Sequence, residues 1–545
     1  MELVDAVVIG AGHHGLVSAA LLADAGWDVL VVEERDRVGG AVASRNSGGW
    51  VEDEFSACHP LAVASPVLRE LDLESYGLRW ERAPRPLAHV SGQGEGGVPL
   101  LADPAATAAE LEREHPGDGD EWLQMCAQWQ RVRDPLVGAL LTRWPPVGDL
   151  VRLLGRLGVR EAPDLARLAV LPVAQLARER FGGRGAGQLL AGNAMHADIP
   201  PTAAGSGLYG WLMTMLCQDV GFPAPRGGSG QLAEALRRRA EAAGARVELG
   251  VAARRVVVGG QRVHGVELAD GRRVRARRAV VADTSAPRLY GELLDHEQVP
   301  PGLSRRMKRF TWDLPTVKIN VRLDAPVPWS SSACRGAGVV HLGHDLPGLI
   351  RWSADLEADG VPRRPFALVG QMSTIDPTRS PAGTEALWLY THLPRSARDD
   401  PASVERVVAG CEEVLDEVAP GWSAHEVGRW VQSPSDLEAA DANLGQGAVG
   451  GGTQQLFQQA IWRPVTGLGG PRTHVAGLYL GSAATHPGGG VHGGCGYLAA
   501  RAALQDARWW GRPRERLITT ALRRFHDDEV VSPAAAAPSS GAPRG

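Results

Sequence analysis

Lysine is nearly absent from this chain of 545 residues, standing only at positions 308 and 318, so arginine carries almost all of the positive charge. No cationic surplus results. The 57 Lys and Arg face 62 Asp and Glu, a formal charge of -5, which gives no ground for a nucleic-acid partner. Much of the arginine bias, with the many Ala and Gly, reflects codon composition. The clusters at 237–239, 254–255 and 277–278 are read as solvated faces. No uninterrupted apolar run approaches the ~20 residues of a membrane span. No basic stretch precedes the first apolar run either, so a cleaved leader is not expected. The six cysteines (58, 126, 217, 334, 411, 495) form no C-x-x-C pair and no metal-ligand spacing. Free thiols in a reducing cytoplasm are therefore expected, without a metal site. A Ser/His/Asp order and a paired-carboxylate motif are missing as well. What remains is ordinary for a globular protein, with 44% hydrophobic residues and a mean hydropathy of -0.14. The chain is too long for one core, and two intimately joined domains are expected.

The sequence is organised around its start, Asp5 to Ala41. Ala6 to Ile9 is a short apolar, β-branched run suited to a buried parallel strand. Gly10, Gly12 and Gly15 follow as G-x-G-x-x-G at a strand-to-helix junction. The first can make the tight turn, the second leaves room for a pyrophosphate, and the third lets helix and strand pack closely. Leu16, Ala19, Ala20 and Ala23 suit a closely packed helix that stops at Gly26. Asp28 to Val32 reads as the second strand, ending at Glu33, where a ribose hydroxyl pair would be held. That acid disfavours a 2′-phosphorylated ligand. His13 and His14, inside the turn, are expected to face phosphates or solvent.

The acid is followed by Glu34-Arg35-Asp36-Arg37-Val38-Gly39-Gly40-Ala41. This run resembles the flavoprotein superfamily of amine oxidases, phytoene desaturases and GDP-dissociation inhibitors. Two further segments carry the resemblance to bacterial-type phytoene desaturases and phytoene-dehydrogenase-related proteins: P-R-G-G-S-G-x-L at Pro225 to Leu232, and T-H-P-G-G-G-V at Thr485 to Val491. Family members usually have Cys-Gly-Ala-Gly ahead of that Thr, whereas Gly481-Ser482-Ala483-Ala484 stands here. The resemblance implies FAD rather than NAD. It places Gly10, Gly12, Gly15, Glu33, Glu34, Arg35, Gly39, Gly40 and Ala41 at the cofactor, Ala253 near its adenine, and Gly481, Gly490 and Val491 at the flavin end. Ser44 to Phe55 would lead under the flavin. Arg226 is read either as a substrate or flavin contact or as a loop anchor.

The implied fold class is α/β: a discontinuous Rossmann-like FAD-binding domain of the glutathione-reductase type with an inserted α+β substrate domain. Residues 1–90, 221–289 and 465–530 would build the FAD-binding domain, and 91–220 and 290–464 the substrate domain. Residues 531–545, rich in Ala, Pro, Ser and Gly, would be a disordered tail. Within the first insertion, Trp122, Met125, Cys126 and Trp129 fall at helical spacing, a stripe that suits core packing or a cavity wall. Leu165 to Phe181 is apolar and arginine-bearing, a core-facing helix or, as the alternative, a peripheral membrane face. Val256 to Val258, a Gly259-Gly260 turn, Val263 to Leu268, an Asp270-Gly271 turn and Val274 onward read as an antiparallel meander, followed by a strand at Ala279 to Ala282. Gly445 to Gly452 reads as a surface loop or a lid.

The reaction implied by the resemblance is dehydrogenation of a C–C unit of an apolar polyene, isoprenoid or other bulky metabolite, with hydride passing to flavin N5. The electron acceptor (oxygen, quinone or NAD+), the oligomeric state and the substrate itself stay open. Two alternatives remain: amine-oxidase-like C–N oxidation, and a non-enzymatic escort on the same fold. His486 is the one histidine inside a flavin motif and is a catalytic candidate, with a loop hydrogen-bonding role as its alternative.

Overall fold

β1 (Glu2–Ile9) is an apolar run whose residues from Ala6 onward are buried, as a strand covered on both faces must be. The chain turns at Gly10 (φ +93°), enters α1 (His13–Asp24), leaves through left-handed Gly26 (φ +79°) and returns as β2 (Val29–Val32). The computed structural model describes residues 2–92, 96–141 and 145–527. β2 lies parallel to β1, and parallel pairing extends outward on both sides. Arg246–Glu248 lies beside β2, Arg273–Ala282 beside β1, and Leu478–Leu480 beside Arg273–Ala282. Strands from three distant parts of the chain thus build one Rossmann-like α/β sheet. One face is covered by α1 with the helices Gly230–Ala242 and Gly494–Asp506, the other by the antiparallel meander and the segment around Leu289 to Phe310.

In the meander, Ala253–Gly259 pairs antiparallel with Arg262–Leu268. The latter pairs in turn with the first part of Arg273–Ala282, whose second part continues into the parallel core. The strands expected at Val274 and at Ala279 are therefore one. The turn expected at Gly259-Gly260 sits one residue later. Gly259 is held in the ladder opposite Arg262, and Gly260 (φ +55°) and Gln261 (φ +66°) supply the two positive φ angles of a type I′ turn.

A second sheet runs in the order Glu426–Gln432, Thr316–Leu323, Glu385–His392, Ala367–Gln371, Ala337–Leu342, Arg85–Val90, Val98–Leu100. It is antiparallel except between Ala337–Leu342 and Arg85–Val90. Arg85–Val90 lies here and not in the first sheet, so the boundary expected at residue 90 falls before Arg85. All its residues after Arg85 are buried, which only a sheet covered on both faces allows. One face of this sheet carries the helices between Pro104 and Val220 and the helix Leu346–Glu357; the other carries Pro401–Val418.

Trp122, Met125, Cys126 and Trp129 pack into the helical core, and so do Leu168, Leu171, Val173, Leu176 and Phe181. Leu165 to Phe181 is thus core-facing, broken into two helices around Leu171 and Pro172. No helix among the described residues is long and apolar enough to cross a membrane. The glycine loop 445–452 is neither exposed nor lid-like over most of its length. A Cβ on Gly445 or Gly452 would stand 2.4 or 2.5 Å from the rings of Trp312 and Phe310, so glycine is needed for the chain to pass. The expected disordered tail lies outside the described residues.

Candidate functional site

The site forms where the two ends of the chain close on each other. Ser18 on α1 donates its hydroxyl to the Gly496 carbonyl at 2.9 Å. A Cβ on Gly496 would lie 2.0 Å from the His14 carbonyl oxygen, so the helix Gly494–Asp506 approaches α1 as only glycine permits. Two spaces border this closure: a narrow polar cleft over the N-terminal glycine turn, and a larger cavity.

The cleft, about 50 Å³, is lined by Gly10, Gly12, Glu33, Glu34, Gly40 and Ala253. The structure therefore brings together six residues expected at the cofactor. Glu33 sits at the end of β2 with Oε2 accepting from the Ala11 N–H (2.7 Å) and Oε1 from the Arg35 N–H (3.0 Å). Burial raises its pKa, and those two N–H groups pull it back. Glu34 is paired with Arg288 at 2.8 Å. Asp283, Thr284, Arg288, Asp441 and Asn443 are the further polar residues that line the cleft. Asp283 follows the strand Arg273–Ala282 and caps α1: its Oδ2 accepts the Gly15 N–H at 2.8 Å. Burial, reinforced by Asp441 and Glu33, pushes its carboxyl up to about 8. Shifted toward its protonated form, it satisfies the helix N-terminus with less negative charge there than an ordinary carboxylate would carry.

The glycines are fixed by these contacts. A Cβ on Gly15 would strike the Gly10 carbonyl at 2.2 Å, and one on Gly12 would meet Asp283 Oδ2 at 2.6 Å. Gly39 (φ +121°) donates its N–H to the Ala11 carbonyl. His14 is buried, and His13 is partly buried beside it. Their rings stand 3.9 Å apart, and His14 lies 5.2 Å from His492 of the C-terminal segment. Both ring nitrogens of His14 and Nε2 of His13 are buried without a hydrogen-bond partner. Burial holds His13 down to about 4 and His492 to about 3, so these imidazoles are neutral at pH 7. His14, His492 and Cys495 bring their ligand atoms within 4.8 Å of one another, a set that could hold a metal ion. Two of the three are already engaged, since His492 Nδ1 accepts from the Gly494 N–H and the Cys495 thiol donates toward the Thr485 and Gly488 carbonyls.

The cavity, about 320 Å³, is walled by Ala41 and Phe55 to Leu61 from the N-terminal segment. Pro487 and Gly489 to His492 close it from the C-terminal segment, with Leu212, Met213, Phe222, Leu368 and Trp388 from the helical cap and the second sheet. Most of this wall is hydrocarbon. The Ser44 to Phe55 loop is pinned beneath it by Asp53, which accepts from Ser44 Oγ (2.6 Å) and the Ser229 N–H (2.7 Å) and pairs with fully buried Arg379 (2.9 Å). The P-R-G-G-S-G segment thus anchors this loop. Arg226 itself is largely exposed and 3.9 Å from Glu81, outside the cavity.

Lys318, one of the two lysines, projects from the second sheet into the wall. Its Nζ donates to the carbonyls of Asp53 and Phe55 and stands 5.9 Å from the Trp388 ring. Burial lowers its pKa to about 8, against the pull of Asp53. Asp198 accepts from Tyr390 Oη (2.9 Å) and His392 Nε2 (2.8 Å).

Ala41, Gly490 and Val491 line the cavity, whereas Gly15, Arg35, Gly39, Gly481 and His486 line neither space. Gly481 continues behind the sheet, where a Cβ would meet Val281 at 2.9 Å and Ala499 at 3.3 Å. His486 is buried beside a cis bond to Pro487, and it is Pro487 and His492 that face the cavity. Asp283, Asp441, Asn443, Asp198 and Lys318 escaped the sequence reading. Only Asp283 had a local signal, as the residue that ends an apolar strand.

A profile of the family described as flavin containing amine oxidoreductase matches residues 15–504. The pyridine nucleotide-disulfide oxidoreductase domain-containing protein 2 of Rattus norvegicus is 28% identical, over 92% of this chain and 94% of its own length. The zeta-carotene-forming phytoene desaturase of Myxococcus xanthus is 27% identical, over 89% and 90%. Among solved structures, an oxidoreductase from Methanosarcina mazei superposes with a TM-score of 0.61 at 15% identity, covering 92% of this chain and 99% of that one.

Proposed function

Since this chain belongs to the flavin-containing amine oxidoreductase family, we propose that its cofactor is FAD and that it dehydrogenates a C–C unit of an apolar, isoprenoid-like molecule. That it is a flavin oxidoreductase follows from the family. The choice of cofactor form and substrate is supported by one observation above all: consecutive residues, Gly40 and Ala41, border the polar cleft and a mostly hydrocarbon cavity walled by both ends of the chain. The name of the Myxococcus xanthus relative, a desaturase of a polyene, points the same way.

The residues present fit FAD. Gly10, Gly12 and Gly40 leave a cradle that any Cβ would fill, and Glu33 stands where a ribose would be held. In this reading Gly489 to Val491 border the flavin end. FAD, when bound, supplies the two-electron chemistry. The chain's own contribution is to hold an apolar substrate against that end, to exclude water with Phe55, Leu212, Met213 and Phe222, and to keep the imidazoles around the turn uncharged.

The test is anaerobic: holoprotein is mixed with isoprenoid hydrocarbons and, separately, with primary amines, and flavin absorbance near 450 nm is followed. Bleaching by an isoprenoid and not by amines supports the reading. Bleaching by amines alone replaces it with C–N oxidation.

A further inference from the structure

Asp313 is the least satisfied polar group of the cavity. It lies just before the strand Thr316–Leu323, is 2% exposed, and lines the cavity wall. Neither carboxyl oxygen has a hydrogen-bond partner; the Gln454 backbone N–H faces it without completing one. A buried carboxyl left in this state is costly, and the cost is relieved by a donor supplied from the cavity.

The neighbours do not supply that donor. Asp198, the other acid in this corner, is fully engaged with Tyr390 and His392. The guanidinium of Arg463 is fully buried, and it donates to the carbonyls of Gly451, Gly452, Thr453 and Ala483. The surroundings also keep the carboxyl in place. A Cβ on Gly450 would stand 2.0 Å from Asp313 Oδ2, and one on Gly489 would stand 2.4 Å from the Gly450 carbonyl. Asp313 is therefore one backbone layer from the Gly488 to Gly490 turn, at the end of the cavity bordered by the C-terminal motif.

We infer that this cavity selects an apolar molecule carrying one neutral hydrogen-bond donor, a hydroxyl, which Asp313 receives beside the Gly488 to Gly490 turn. The inference rests on the proposed reading of the cavity as the substrate site and narrows it from hydrocarbons in general to hydroxylated ones. A neutral donor is favoured over an ammonium by the local charges. Arg463 and His392 both lie close enough to act on the Asp313 carboxyl, and the pKa of His392 is raised by Asp198 against its own burial. Burial and the charge of Asp198 push the Asp313 carboxyl up to about 7, and Arg463 already stands near it as a buried cation that a second cation would oppose.

The experiment uses FAD-loaded protein and three probes with one carbon skeleton: geraniol, its methyl ether and geranylamine. Dissociation constants are read from perturbation of the bound flavin's visible spectrum, for wild type, Asp313→Ala and Asp313→Asn. The expected result is at least tenfold tighter binding of geraniol than of either analogue in the wild type. That preference is lost in Asp313→Ala, where the ether's affinity is unchanged, and partly kept in Asp313→Asn, whose amide oxygen still accepts. Equal affinities for alcohol and ether in the wild type, a preference that survives in Asp313→Ala, or a preference for the amine would each overturn it. Flavin spectra of the variants report that they are folded and loaded. A yellow protein without the preference defeats this inference alone, whereas a protein that takes up no FAD defeats the functional reading beneath it.

Discussion

At the scale of single residues, Asp283 sets the electrostatics of the cleft over the N-terminal glycine turn. A carboxylate at the N-terminus of α1 would oppose any anionic ligand, and its folded-state pKa of about 8, against an ordinary 3.8, shows how burial avoids this. The linkage has a definite sign. Between about pH 4 and 8 the folded chain keeps a proton that the unfolded chain has released, so stability from this group is complete below pH 4 and is lost as pH rises toward 8, by up to about 1.4 kcal/mol per unit. Asp283→Asn preserves the acceptor for the Gly15 N–H and removes the titration. Urea-unfolding midpoints of wild type and variant should therefore diverge in the variant's favour from pH 5 to 8, and a constant difference would contradict the assignment. FAD affinity of the wild type should also weaken above pH 8 while that of Asp283→Asn does not. Glu33 has the opposite duty. Glu33→Arg removes the acceptor for the Ala11 and Arg35 N–H groups and places a cation where the proposed reading puts the ribose, and equilibrium dialysis should show FAD affinity reduced at least tenfold.

At the scale of elements, the closure of α1 against the helix Gly494–Asp506 holds the site together. Gly496→Val pushes a side chain into the His14 carbonyl and should cost about 1–3 kcal/mol in urea unfolding. Gly291→Ala, at a position with nothing within 4 Å of the added carbon, should stay within about 0.5 kcal/mol. The first βαβ unit was legible because its signals are local: an apolar run, three glycines at fixed offsets, small helix residues and a terminal acid all lie within Asp5 to Glu33. The meander was legible for the same reason, to within one residue at Gly260-Gln261. The membership of Arg85–Val90 in the second sheet was not, because a buried strand carries no mark of the partner it pairs with, and its partner Ala337–Leu342 is some 250 residues away. Nor was the burial of the 445–452 loop, where glycines that read as freedom are in fact demanded by the rings of Trp312 and Phe310.

At the scale of the whole molecule, the glycine-rich ends were expected to fold together, and the structure joins them through Ser18, His14 and Gly496. The middle of the site was opaque. Asp441 and Asn443 reach the polar cleft, and Lys318 and Asp313 the cavity, from segments whose sequence shows only ordinary strands and loops, so their placement appears only once the second sheet is placed against the first. The flavin content of the purified chain, read from its visible absorbance after incubation with FAD and removal of excess, tests the joining of the two ends most directly. The account predicts close to one FAD per wild-type chain and little in either Gly12→Val or Gly490→Val, one variant at each end of the sequence. A wild-type chain that stays colourless, or a Gly490→Val variant that loads FAD as the wild type does, would contradict it.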